Sequence, residues 1–169
     1  MTAYVALLRA VNVGGTGKLP MADLRAMAEG AGFANVRTYI ASGNVVFESD
    51  AGEGSVKAAF EAALHAYAGK PVGVLVRTGR EMAAVVAANP FPDAPGNRAV
   101  AIFLDAPPAP DFLAYVSGRG PEEIAAGLRE IYVRYPDGQA DTKLKIPAAR
   151  AGTARNLNTV AKLAELAGH

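Results

Sequence analysis

The segment from residue 3 to residue 11, AYVALLRAV, constrains the fold most strongly because it is apolar on both of its alternating faces. Val5 and Leu7 fall on one face, and Ala6 and Leu8 fall on the other. A strand with this pattern lies inside a sheet, with other elements packed against both of its sides. The sequence therefore predicts a central first strand that is covered on both faces.

The rest of the first half alternates between helical and extended patterns. Apolar residues at helical spacing predict one helix after Pro20 and a second helix over residues 56–67. β-branched and aromatic residues around Ser42-Gly43-Asn44 predict a hairpin over residues 36–48, and residues 72–78 predict a fourth strand. The resulting order is βαββαβ, which is typical of a ferredoxin-like half. We expect its first and third strands to be central and parallel.

A junction between two halves is indicated by the Pro- and Gly-rich segment NPFPDAPGNR at residues 89–98. Before it, Thr78 and Glu81 have the spacing of a capping box, which predicts a helix over residues 80–88. The sequence thus predicts two regions in one compact α+β unit. They are residues 1–95, a ferredoxin-like half with a trailing helix, and residues 96–169, a second α+β half that ends in a helix.

The second half repeats the order of the first in part, as βαββ followed by helices. We expect a helix where the fourth strand would be. The predicted elements are a strand at residues 99–105, a short helix near 111–116, strands at 123–126 and 130–135, and helical segments near 141–149 and 154–167.

Composition excludes several kinds of chemistry. The chain has no Cys, which removes disulfides, thiolate nucleophiles and thiolate metal ligands. It has two His residues, His65 and His169, so no His-based metal site or His-driven nucleophile is predicted, and we expect no cofactor. The net charge of +1 gives no global attraction to nucleic acid, and no apolar run has the length of about 18 residues that a membrane span needs. We expect a soluble cytoplasmic protein without membrane contacts.

The glycine-rich loop from Gly14 to Lys18 does not have the spacing of a nucleotide-binding motif. Leu19 follows Lys18 where a P-loop has Ser or Thr, and the three glycines do not fit the dinucleotide fingerprint. We therefore predict a strand-to-helix turn with at least one glycine at positive φ. Lys18, beside the start of the helix, could still contribute to anion binding.

The segment TARNLNTVAKL near the C-terminus is a stronger candidate for anion binding. On a helix that begins near Ala154, one polar stripe contains Arg155, Asn158, Thr159 and Lys162. From Gly127 to Lys162, seven basic residues stand against three acidic ones, a local charge of +4. The alternative interpretation is that Asn156 or Thr153 caps the helix and that the other polar residues form a solvated face.

Several blocks resemble, in order, the domain of unknown function 1697 (DUF1697) family, bacterial proteins without an established activity. The blocks are LLRAVNVGG, TYIASGNVVF, VLVRTGREM, NPF, IYVRYPDG, TKL and TARNLNTVAKL. The resemblance implies an α+β architecture with ferredoxin-like halves. The chain differs from the family pattern at Ala10, Thr142 and Leu157, where Gly, Ser and Trp are usual, so the aromatic surface of that Trp is missing.

Three functions are compatible with these observations. The first is a module that binds a phosphate-bearing ligand, either a nucleotide or a short nucleic acid, without demonstrable catalysis. The second is a small enzyme acting on a phosphorylated metabolite, and the third is a protein-interaction scaffold. For the first, we expect Arg155, Asn156 and Lys143 to converge on one cleft. The candidate ligand-binding residues are Arg155, Asn156, Asn158, Thr159, Lys143, Ser42, Asn44, Arg77, Arg9 and Lys18.

Overall fold

The computed structural model describes residues 1–9, 20–39, 43–69 and 71–168. Its described part is a mixed α+β protein with two four-stranded antiparallel sheets and four α-helices. The chain divides into two units, one formed by Met1–Ala83 with Leu163–His169 and the other by Ala84–Lys162. The division at residue 95 stays a prediction.

The first sheet consists of β1 (Thr2–Leu8), β2 (Ala34–Thr38), β3 (Asn44–Ser49) and β4 (Val74–Thr78). Its strand order is β2-β3-β1-β4, so β1 is central as predicted, and every residue from Tyr4 to Leu8 is buried.

The expectation that β1 and β3 are parallel is wrong, because their register, from Thr2↔Ser49 to Leu7↔Asn44, is antiparallel. The reason is the connectivity. The strands β1 and β2 run in the same direction, and the chain reverses between β2 and β3. The strand β3 therefore runs against both of them.

Two helices, α1 (Met21–Gly30) and α2 (Glu53–Ala68), contribute residues to the core on one face of this sheet. Aromatic rings fill that core, and the rings of Phe33 and Phe47 stack with their centroids 4.4 Å apart. A third helix, α3 (Gly79–Ala87), follows β4 directly. It begins with the predicted capping box: the Glu81 N–H donates to Thr78 Oγ1 at 3.0 Å, and the Thr78 N–H donates to Glu81 Oε1 at 2.9 Å.

The second sheet consists of β5 (Ala99–Phe103), β6 (Glu123–Ala126), β7 (Glu130–Arg134) and β8 (Thr153–Asn156), in the order β6-β7-β5-β8. Its connections contain two short 3₁₀ segments, Phe112–Tyr115 and Pro147–Ala149. The chain continues from β8 into α4 (Leu157–Leu166).

The structure corrects two helices expected in this half. A strand, β8, occupies the position where a helix was expected, and the helix begins only at Leu157. Asn156 caps it, because Asn156 Oδ1 accepts the N–H of Thr159 at 2.9 Å. This agrees with the alternative interpretation, in which Asn156 or Thr153 caps the helix.

The segment near residues 141–149 is extended before its short 3₁₀ turn, and not helical as expected. Leu144 and Ile146 pack on the core, whereas Lys143 and Lys145 between them are exposed. This alternation has the period of two that an extended chain requires. Lys145 accordingly forms an isolated antiparallel bridge with Ser117.

The second sheet has two different faces. Val100 and Ile102 of β5 lie in one core cluster, which the segment containing Leu144 and Ile146 covers. Because neighbours along a strand alternate between faces, Ala101 lies on the opposite face. Tyr132, the register partner of Ala101, shares that face, and its hydroxyl donates to the Val85 carbonyl at 2.8 Å.

Candidate functional site

Arg155 lies on β8, the outermost strand of the second sheet, where it is the register partner of Ala101. It therefore belongs to the face of Ala101 and Tyr132, opposite the core cluster of Val100 and Ile102. The side chain is half-buried, and its Nη1 donates to Thr153 Oγ1 at 2.8 Å and to the Ala154 carbonyl at 2.9 Å. The guanidinium is held close to its own strand.

Burial lowers the pKa of Arg155 from 12.5 to about 10. Loss of water disfavours the charged form of a basic group, and this is the cause of the shift. The guanidinium still carries its proton at neutral pH. Arg155 is therefore a cation with reduced hydration, which is the condition under which a bound anion stabilises it most.

Lys143 lies on the other side of the sheet. The segment that contains it packs Leu144 onto the core face, and Lys143 itself is exposed. The structure therefore does not bring Lys143 and Arg155 onto one face, in contrast to the expected convergence. The physical reason is that Arg155 belongs to a strand, so its direction follows the strand register and not a helical stripe.

The remaining residues of the C-terminal candidate segment hold the start of α4. Asn156 is the cap, and Thr159 is buried, with its backbone N–H donating to that cap. Leu157 donates its N–H to the carbonyl of Gly96 at 3.1 Å. A Cβ at Gly96 would overlap the side-chain amide of Asn158, so these two residues fit closely together. The alternative interpretation therefore holds for the cap, Asn156, and for the exposed Asn158, whereas Thr159 is buried and does not belong to a solvated face.

Two candidates in the first half, Asn44 and Arg77, are buried and donate hydrogen bonds to main-chain carbonyls. Asn44 is 3% exposed, and its Nδ2 donates to the Tyr39 carbonyl at 2.9 Å, which closes the β2–β3 hairpin. Arg77 is 1% exposed, and its Nη1 donates to the Val76 carbonyl at 3.0 Å. An arginine at this depth has to be satisfied by protein groups, so the surroundings of Arg77 favour a structural role.

Arg9, the third described candidate of the first unit, is half-buried and lies against Gly73, whose carbonyl accepts the Arg9 N–H at 2.9 Å. A Cβ on Gly73 would lie 3.1 Å from Arg9 Cδ, so the side chain runs along the start of the fourth strand. Ser42, Lys18 and the loop from Gly14 to Lys18 lie outside the described residues.

Sequence reasoning missed a cavity of about 380 Å³ in the second unit. It is lined by Gly118, Gly120, Pro121, Glu122, Asp137, Gly138, Asp141, Thr142 and Lys143. Glu122 is 7% exposed, whereas its neighbour Glu123 is exposed. Two consecutive glutamates look identical in sequence, so the burial of the first could not be recognised without the fold.

Among the described residues, no group of three or more His, Asp or Glu side chains could hold a metal ion. The helices in the described part of the chain are all too short or too polar to cross a bilayer.

Comparison with known proteins gives a family and a fold. A family model described as a protein of unknown function (DUF1697) matches residues 1–132. The solved structure of a conserved bacterial protein from Streptococcus pneumoniae aligns with a TM-score of 0.78 at 22% identity and covers 98% of each chain. No curated protein matches the sequence. The structural likeness shows the fold alone, and the family match ends before β8, the strand that contains Arg155.

Proposed function

The chain belongs to the DUF1697 family of proteins of unknown function, and we propose that it binds a phosphate-bearing ligand through Arg155. One observation carries the proposal: the guanidinium of Arg155 is half-buried on the outermost strand of the second sheet, where it keeps its charge with reduced hydration. A phosphate oxygen next to this group would accept charged hydrogen bonds in addition to those that the guanidinium makes within the protein. Arginine also has the planar set of N–H donors that matches phosphate in a two-point contact.

The local charge supports the same ligand class. The segment from Gly127 to Lys162 carries an excess of four positive charges although the whole chain carries only one. Such an excess attracts anions over the range of the Debye length and makes binding weaker as salt is added. A single phosphate group would show a mild salt dependence, and an extended nucleic acid a steep one.

Binding of pyrophosphate measured by titration calorimetry tests the proposal. Arg155→Met keeps the length of the side chain and removes its charge, and Lys143→Met removes one charge from the same basic segment on the other side of the sheet. We expect Arg155→Met to weaken binding by about tenfold or more, the effect of losing one charged hydrogen bond. Lys143→Met is expected to change the affinity by less than about twofold, because exposed charges act weakly through solvent.

Two results would contradict the proposal. One is the absence of pyrophosphate, ATP and oligonucleotide binding to the wild-type protein at low salt. The other is an equal loss of affinity in both variants, which would indicate general attraction to a basic surface. Arg155→Lys separates charge from shape, since it keeps the cation but loses the two-point geometry, and we expect an intermediate affinity.

We also propose that the two halves share the ferredoxin-like arrangement. Support comes from the strand orders β2-β3-β1-β4 and β6-β7-β5-β8, in which the first and third strands of each half are central. An experimental structure in which β8 pairs with any strand other than β5 would refute this assignment for the second half.

A further inference from the structure

The two sheets have four edge strands, β2 and β4 in the first sheet and β6 and β8 in the second. The outward N–H and C=O groups of an edge strand have no neighbouring strand to pair with, and they attract a further strand unless something closes the edge. Side chains bond to the main chain of β2, β4 and β8. Within the described part of the chain, the exception is β6, Glu123–Ala126.

The edge strands of the first sheet are closed by side chains and by a register shift. The Val74 N–H, on β4, donates to Glu61 Oε2 at 3.1 Å, and the Val74 carbonyl accepts a hydrogen bond from Lys57 Nζ. The pairing of β2 with β3 shifts register within β2, where Arg37 Nε also donates to the Asn35 carbonyl at 3.1 Å. A covered or irregular edge of this kind opposes the addition of another strand.

In the second sheet, an arginine bonds to the main chain of β8: Arg155 Nη1 donates to the Ala154 carbonyl at 2.9 Å. A second arginine bonds to the main chain just before β6, where Arg119 Nε donates to the Glu122 carbonyl at 2.8 Å. The side-chain cover of this edge therefore ends at Glu122, before β6 begins.

The strand β6 has an open outer edge at Ile124 and Ala126. The Gly127 N–H donates to the Glu130 carbonyl at 2.7 Å, which identifies the side of the strand that faces β7. Because the direction of these groups alternates along a strand, the N–H and C=O of Ala125 point toward β7, and those of Ile124 and Ala126 point away from it. Among the described residues, nothing forms a hydrogen bond with Ile124 or Ala126 on that outer side.

We propose that β6 pairs antiparallel with β6 of a second copy of this chain, so that two copies of the second sheet join into one. Ala125 then lies on the two-fold axis, opposite Ala125 of the second copy. On each side of the axis, Ile124 of one copy pairs with Ala126 of the other, and each pair exchanges two main-chain hydrogen bonds. The strand β8, which carries Arg155, stays at the far edge of the sheet, so this pairing is separate from the proposed phosphate site.

The side chains of β6 and of the turn after it suit this two-fold arrangement. Residues opposite each other at the axis have Cα atoms about 4.5 Å apart, and the small side chain of Ala125 fits this spacing. Leu128, in the turn, is 82% exposed. In the antiparallel register it lies opposite Glu122 of the second copy, so the pairing covers apolar surface that the single chain leaves in water.

Charge also favours a second copy over an unrelated peptide. The strand begins with Glu123 and is followed by a turn that contains Arg129, so antiparallel pairing brings the acidic start of each strand next to the basic turn of the other. A cavity of about 370 Å³ lies beside this start, and its described lining includes Asp93 and Glu123 against one basic residue, Arg134. Arg129 of the second copy adds a positive charge near these carboxylates, whereas parallel pairing would bring like charges together.

Cysteine cross-linking tests the register. The chain has no Cys, so one introduced Cys reports a single contact. In Ala125→Cys, the two copies of the residue face each other across the axis, within the range that a disulfide spans. In the control Glu123→Cys, on the same face of the strand, the two copies are four positions apart along the strands, about 13 Å. With copper phenanthroline and oxygen as the oxidant, we expect the disulfide-linked dimer of Ala125→Cys to form at least about tenfold faster on non-reducing gels.

Sedimentation velocity tests the dimer itself. Between about 10 µM and about 1 mM, the dimer fraction of the wild-type protein should rise with concentration, because a short strand pairing buries too little area for a tight complex. Ala126→Pro removes an outward N–H and no hydrogen bond to β7, and we expect it to stay monomeric. Leu128→Glu places a negative charge beside the acidic start of the other copy and should weaken the dimer by at least about fivefold. Its matched control at another exposed leucine, Leu113→Glu, should weaken it by less than about twofold.

Circular dichroism of each variant establishes whether it folds. If Ala126→Pro does not fold, the comparison of Leu128→Glu with Leu113→Glu takes its place. The proposal is overturned by a wild-type protein that stays monomeric up to about 1 mM, or by equal cross-linking rates of the two Cys variants. It is also overturned if folded Ala126→Pro dimerises as strongly as the wild-type protein, or if the two Glu variants weaken the dimer equally.

Discussion

The two sheets share a strand order but differ in the segments that cross between their strands. In the first half, β1 connects to β2 through α1, and β3 connects to β4 through the 16-residue helix α2. In the second half, the corresponding connections contain only 3₁₀ segments of four and three residues. The order of the strands therefore does not depend on helical crossovers.

Proline content explains the difference. The second-half connections, residues 104–122 and 135–152, contain six prolines, whereas residues 9–33 and 50–73 contain only Pro20 and Pro71. Proline lacks the N–H donor and clashes with the preceding turn inside a helix. Pro20 immediately precedes α1 and Pro71 follows α2, so neither interrupts a helix. In the second half, extended segments with alternating apolar residues cover the sheet instead.

The largest expected effect is in the helix-covered core. Phe47→Ala removes a ring that stacks on Phe33 and contacts the rings of Tyr4 and Phe60, and we expect a loss of about 3–5 kcal/mol in the free energy of unfolding. Phe112→Ala in the second half should cost less, about 3 kcal/mol or below, because the short 3₁₀ cover can collapse into the space. Urea unfolding measures both losses of stability. A larger loss for Phe112→Ala than for Phe47→Ala would contradict the prediction.

Alkaline pH should lower the stability of the protein through Tyr132, which lies in the second half. Burial, with a smaller contribution from Glu130, raises the pKa of Tyr132 to about 12. The unfolded chain releases this proton near pH 10, so between about pH 10 and 12 the unfolded state binds fewer protons and stability falls as pH rises. We expect the wild-type protein to lose about 2 kcal/mol relative to Tyr132→Phe over this window. Parallel pH profiles of the two proteins would contradict the assignment.

Helix caps offer a matched test in the two halves. Thr78→Ala removes the cap of α3 and Asn156→Ala removes the cap of α4, and each should cost about 1 kcal/mol of folding free energy. Asn156→Asp keeps an acceptor for the Thr159 N–H and serves as the control, with a loss expected below about 0.5 kcal/mol. A loss of pyrophosphate binding without loss of stability in Asn156→Ala would instead make Asn156 a ligand-binding residue.

The smallest expected effect is at the surface of the second sheet. Arg134 and Glu123 face each other across β6 and β7 at 3.3 Å, and both side chains are more than one-third exposed. Arg134→Gln should change the free energy of unfolding by less than about 1 kcal/mol, and less still at high salt. A loss of stability above about 1 kcal/mol, measured by thermal unfolding, would contradict this prediction. It would mean that the ion pair stabilises this edge of the sheet more than apolar packing does.

The predictable parts of the fold are those with a local cause. The central position of β1 follows from its two apolar faces, and the start of α3 follows from Thr78 and Glu81. The strand β8 was missed because four residues, TARN, are too few to establish a period and lead directly into a strong helical pattern. The direction of Arg155 could not be predicted, since it depends on the pairing of β8 with β5, far away in sequence.

Amide NMR spectra of the labelled protein, recorded while pyrophosphate is added, test the central claim most directly, because they locate the ligand without any substitution. The account predicts that the largest shifts fall on Thr153–Asn156 and on Ala101, the register partner of Arg155. Shifts concentrated in the cavity loops around Gly118 and Lys143, or in the first half of the chain, would contradict it.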